Sequence, residues 1–97
     1  MYNIYTDYRM LLNRFIDGSI SPEDFQNEYL SRFKNEKRKL DQPLFELLDS
    51  LFGDVDAFTS DKELLAENPG FYLDEVALRK KITQAFKKII WLQSGKE

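Results

Sequence analysis

Ile20-Ser21-Pro22-Glu23-Asp24-Phe25 is a complete helix start written into six residues. Ser21 suits the N-cap, where a hydroxyl accepts from a main-chain N–H, and Pro22 suits the first helical position, where no donor is needed. The two acids complement the positive end of the helix dipole, and Ile20 with Phe25 makes a hydrophobic staple. Downstream, Phe25, Tyr29 and Phe33 repeat every four residues, and the helix runs into the basic stretch Lys34-Asn35-Glu36-Lys37-Arg38-Lys39, where the dipole favours cations. Upstream, Ile4, Tyr5, Tyr8, Leu11, Leu12, Phe15 and Ile16 form one apolar helical stripe, stopped at Gly18.

The same signals recur toward the C-terminus. Leu40-Asp41-Gln42-Pro43 reads as a cap with proline near the first turn, and Leu44, Phe45, Leu47, Leu48, Leu51 and Phe52 give a broad apolar face, so a third helix is expected to run to about Gly53. Residues 54–61 read as an irregular segment or short extra turn pinned by Val55 and Phe58, and Asn68-Pro69-Gly70 reads as a turn. From Asp74 onward Leu78, Ile82, Phe86, Ile89 and Ile90 keep helical spacing, with Trp91 expected to cover the bottom of the core. No segment alternates like a strand. The expected fold is all-α: a single domain over residues 1–97, forming a compact antiparallel four-helix bundle with an acidic irregular connection between helices three and four.

With 97 residues, 42% of them hydrophobic, the chain can bury one core. It has no Cys and no His. Disulfides, thiolate zinc sites and thiol nucleophiles are thereby excluded, and the commonest general base is missing. The N-terminus shows no basic region followed by an apolar one, and no run approaches a membrane span, so a cytoplasmic protein without membrane contact is expected. A net charge of −3 argues against direct nucleic acid binding. No cofactor is expected.

Charge is unevenly distributed. Residues 41–75 hold ten acids and one base, Lys62, a formal charge near −9; residues 1–40 hold six acids and seven bases, and the tail from Val76 holds six bases and one acid. Most charge runs are solvated surface. Calcium binding fails on register: with Asp54 as the first position of an EF-hand loop, Thr59 stands where glycine is required and Leu65 where the bidentate Glu belongs. A carboxylate pair drawn from Asp54, Asp56, Asp61 and Glu63 has no phosphate-cradling loop or nucleophile motif beside it, so no enzyme is expected. The basic helix with Arg79, Lys80, Lys81, Lys87 and Lys88 has the composition of a membrane-surface ligand, but its apolar stripe is needed to close the core. What favours a binding surface for a basic protein is that the acids surround the least regular connection and that Phe58, Phe71 and Tyr72 lie among them.

The run from Phe15 to Phe25, then Leu48-Asp49-Ser50-Leu51-Phe52, then Asp56, Phe58 and Asp61, and finally Asp74-Glu75 with Leu78-Arg79, resembles the colicin D immunity family. These are bacterial self-protective immunity proteins, some accompanying toxins of contact-dependent growth inhibition systems. The resemblance implies a four-helix bundle that binds a cognate nuclease toxin domain, typically one cleaving tRNA, and blocks its basic cleft with acids that imitate substrate phosphates. On this reading Asp54, Asp56, Asp61 and Glu63 stand in for phosphate oxygens, with Asp49, Asp74 and Glu75 nearby. Phe58 belongs to the same surface, and Tyr72 packs as an aromatic anchor. A monomer, or a 1:1 complex with the toxin, is expected. The alternative is an acidic helical adaptor for another basic protein.

Overall fold

Ser21 caps as its sequence requires: its Oγ accepts from the Asp24 N–H at 3.1 Å, and α2 (Pro22–Lys34) begins at the proline. The computed structural model describes residues 4–68 and 70–95. The helix before α2, α1 (Ile4–Ile16), ends where Gly18 adopts φ +84°, letting the Ser19 N–H reach back to the Arg14 carbonyl at 2.8 Å. A left-handed residue just past a helix closes it by capturing orphan carbonyls, and glycine takes that conformation without a Cβ penalty.

α3 (Gln42–Asp56) runs one turn past the expected stop at Gly53. Glycine in a helix costs about 1 kcal/mol relative to alanine. Val55, fully buried, lies on the same line as Leu44, Leu48 and Leu51, and its burial recovers about 1.5–3 kcal/mol. Asp54 and Asp56 therefore belong to α3 and not to a loop. Asp41 occupies the N-cap but its side chain does not cap; instead its Oδ2 accepts the Tyr5 hydroxyl at 2.8 Å.

The connection expected to be irregular is ordered. It holds a short helix, α4 (Lys62–Glu67), and its two ends are joined by a single parallel bridge between Phe58 and Leu73. Across that bridge Leu73 N–H donates to the Ala57 carbonyl at 2.9 Å and Thr59 N–H to the Leu73 carbonyl at 3.0 Å. Of the expected turn at 68–70, Pro69 lies outside the described residues, as do Met1–Asn3 and the last two residues of the tail.

α5 (Glu75–Gln93) completes the fold. α1 packs on α2 and α5, and α3 packs on α2 and α5. Five helices and no strand are present among the described residues. The core joins Tyr8, Leu12 and Phe15 to Phe25 and Tyr29, the α3 line to Leu78, Ile82, Ala85 and Ile89. Tyr29 pays for its buried hydroxyl with a 2.8 Å bond to the Leu48 carbonyl. Trp91 does not cover the core: it is 43% exposed, as Ile90 is 41% exposed. Two residues of helix rotate Trp91 about 160° from the buried Ile89, onto the solvent side, where it meets Lys88 at 6.0 Å. The small Ala85 takes the core position instead, with Phe86 half-buried beside it.

Candidate functional site

The acids of the middle third fall into two chemical groups. Asp61 is the N-cap of α4, its Oδ1 accepting from the N–H of Glu63 at 2.9 Å and of Leu64 at 3.3 Å; Asp74 is the N-cap of α5, accepting from Ala77 N–H at 2.8 Å. Glu75 pairs with Arg79 one turn on, at 3.7 Å. These carboxylates already do structural work at helix starts, where the dipole favours them. By contrast, Asp49, Asp54, Asp56 and Glu63 accept no hydrogen bond through their carboxylates and form no ion pair among the described residues. They are available to a partner.

The helix divides this second group again. Seven residues at about 100° each bring Asp49 and Asp56 within about 20° of one another around α3, whereas Asp54 stands about 140° from Asp49 and about 160° from Asp56. Asp49 and Asp56 border the furrow between α2 and α3, shared with Lys34 and Phe52. Asp54 opens into the furrow between α3 and α5, where Lys81 and Lys88 line the opposite wall. About 160° around the helix from Asp56, it cannot form a close carboxylate pair with that residue. That pairing was the geometric requirement of an acid–base site built from these two residues.

The aromatic residues also separate. Phe58 is 5% exposed and packs in the core, so its side chain is not offered to a partner; it anchors the base of the connection. This is the pinning role its sequence position implied, since a large ring next to the α3 terminus gains more from burial than from exposure. Tyr72 is half-buried, edge-on to Phe71 at 4.9 Å, and it is Phe71 that protrudes, 70% exposed. Of two further rings placed on the apolar face of α3 by the sequence, Phe45 is 45% exposed, while Phe52 is half-buried and packs against the edge of the core. The signal for them lay in the spacing, since Phe45 and Phe52 are seven residues apart and about 90° and 70° off the Leu44–Leu48–Leu51–Val55 line.

The charges of the α3 acids are felt inside. Burial first, then the Tyr8 hydroxyl and the charges of Asp49 and Asp54, push the Tyr29 phenol far above its ordinary range. Among the described residues no group of three or more metal-ligating side chains could hold a metal ion, and no helix is long and apolar enough to cross a membrane.

The all-helical scaffold thus carries partner-free carboxylates beside exposed aromatic rings. Residues 4–89 match the model of the bacterial self-protective colicin-like immunity family, and the chain belongs to that family. No curated protein and no solved structure matches it.

Proposed function

We propose that this immunity protein neutralises a cognate nuclease toxin, one acting on tRNA in keeping with the resemblance noted above, by laying an acidic surface over the basic cleft that receives the RNA. The observation that carries this reading is the set of partner-free carboxylates on α3 and α4, within a family whose members protect against a toxin by binding it. A nuclease cleft must attract phosphates, so an exposed array of carboxylates on a rigid scaffold is the complementary shape and charge. The ring of contacts α1–α2–α3–α5 supports treating that scaffold as an antiparallel four-helix bundle. The protein itself acts without catalysis or cofactor, in the cytoplasm, as a 1:1 partner of the toxin domain. Within the expected site, Asp49, Asp56 and Glu63 are the phosphate surrogates; Asp61, Asp74 and Glu75 shape the helix ends around them. A contact-dependent growth inhibition system is one setting for such a pair.

The test is a mixture of this protein with the C-terminal domain of the polypeptide encoded immediately upstream. The two are expected to co-elute, and added immunity protein is expected to stop cleavage of tRNA by that domain. Failure to co-elute overturns the reading in favour of an acidic adaptor for another basic protein.

A further inference from the structure

The furrow between α2 and α3 brings together aromatic rings, a lysine and two exposed carboxylates. Two cavities of about 310 and 600 Å³ lie along it, and both are lined by Lys34 and Phe52, so they adjoin one another. Its floor is aromatic: the Phe33 ring lies 6.1 Å from Phe45 and 5.7 Å from Phe52, centroid to centroid. Asp49 borders one cavity and Asp56 the other, both exposed and both without a bonded partner among the described residues. Along α3 they are seven residues apart, about 10 Å at 1.5 Å per residue, with Phe52 between them.

We infer that this furrow is the anchor site for a basic, apolar-centred segment of the toxin domain, which inserts one aliphatic or aromatic side chain over Phe45 and Phe52 and places a Lys or Arg against each of Asp49 and Asp56. The inference rests on the toxin-binding reading above and locates the contact within it. Charge complementarity selects the occupant. Two unpaired carboxylates straddling an apolar floor leave an acidic segment repelled and a neutral one without partners for them, while a segment with cations about 10 Å apart satisfies both. A central aromatic pocket with a charged rim is also the arrangement in which a few residues carry most of an interface's binding energy.

Lys34 supplies the decisive test. It lines both cavities, forms no ion pair among the described residues, and presents a cation where the incoming segment would place its own. Replacing it by an acid is therefore expected to strengthen binding, an effect that misfolding does not produce. The measurement is a titration of the upstream-encoded C-terminal domain with the wild-type protein, Lys34→Glu, Phe45→Ala and Gln84→Lys. The expected result is binding about tenfold tighter for Lys34→Glu, at least about tenfold weaker for Phe45→Ala, and near wild type for Gln84→Lys in the opposite furrow. Wild-type binding with Lys34→Glu and Phe45→Ala both unchanged overturns the furrow while leaving the toxin-binding reading intact. Gln84→Lys as the variant that weakens binding moves the contact to the α3–α5 side and overturns it equally. Absence of wild-type binding overturns the reading and this inference together.

Discussion

Asp49 and Asp56 face the same side of α3, two turns apart, and neither carboxylate has a bonded partner among the described residues. Asp54, between them in sequence, points away from both and shares a furrow with Lys81 and Lys88. A density of negative charge that looks uniform along the chain is thus divided by the helix between two furrows, Asp49 and Asp56 beside Lys34 on one side and Asp54 beside Lys81 and Lys88 on the other. The α5 sequence, with five bases between Arg79 and Lys88 and no acid from Val76 to Gly95, is opposite in charge to the middle third, so a basic partner would be steered away from it.

Reversing the Asp49–Asp56 edge should therefore remove binding without touching the fold. Asp49→Lys combined with Asp56→Lys is expected to leave the helical circular dichroism and the melting temperature near wild type, because both side chains are exposed and unbonded. Affinity for the toxin domain should fall by at least ~2–5 kcal/mol, the cost of removing one member of a close charge pair. Asp61→Lys is a poorer probe, since it also strips the α4 cap, worth ~1 kcal/mol. Calorimetric titration of the double variant reads the loss directly, and unaltered affinity would move the interface off this edge.

Salt should act on the rate of association. Steered encounters reach ~10⁸–10⁹ M⁻¹s⁻¹ at low salt against ~10⁵–10⁶ M⁻¹s⁻¹ for neutral surfaces, and the screening length shrinks from about 10 Å at 0.1 M to about 3 Å at 1 M. Stopped-flow mixing across that range is expected to show a steep fall in the association rate with a much smaller change in dissociation. A flat association rate would mean that the acidic edge does not guide the encounter.

The long helices were legible because their signals are local: Ser21-Pro22-Glu23-Asp24 names its own cap, and the stripes of α1 and α2 name their own buried faces. The end of α3 was not, because the choice between stopping at Gly53 and adding a turn depends on whether Val55 finds a core to enter, which only the packed helices decide. The same holds for Asp61 and Asp74. Their residue type fits a phosphate surrogate and an N-cap equally well, and the α4 start that makes Asp61 a cap lies in six residues too few to declare a helix by periodicity. Phe45 departs from its expected apolar face for a tertiary reason: the α2–α3 furrow leaves it open, whereas Phe58, beside the Phe58–Leu73 bridge, is held inward as its pinning role required.

Gly18 gives a clean measure of backbone conformation in this fold. An added Cβ would meet nothing within 4 Å, so Gly18→Ala adds no clash with a neighbour. Its φ of +84° nonetheless disfavours any side chain, and the substitution is expected to cost ~1–2 kcal/mol. Urea unfolding should show a lower midpoint with an unchanged m-value. An unchanged midpoint would indicate that α1 ends by some other closure.

Acid stability should report on the clasp that holds the α2–α3 linker to α1. Glu36 accepts the Tyr8 hydroxyl at 2.8 Å and Arg38 Nε at 2.8 Å, while the same guanidinium reaches Asp7 at 2.7 Å. The bonds from the Arg38 side chain are the largest cause, against the opposing effect of burial, and with the Arg38 N–H and the Tyr8 hydroxyl they hold the Glu36 carboxyl down at about 2, below its ordinary 4.5. A carboxyl whose folded-state value is depressed binds its proton more readily in the unfolded chain. Its contribution is therefore complete above pH 4.5 and is lost as pH falls from there through about 2. Glu36→Gln is expected to be less stable at neutral pH by ~1.5–3 kcal/mol, the worth of hydrogen bonds to a charged group. The gap from wild type should then narrow as the solution is acidified through that window, because protonated wild-type Glu36 loses what the amide already lacks. Thermal melts of the two proteins at matched pH read this difference, and a gap that stays constant down to pH 2 would show that the clasp does not contribute through the charge of Glu36.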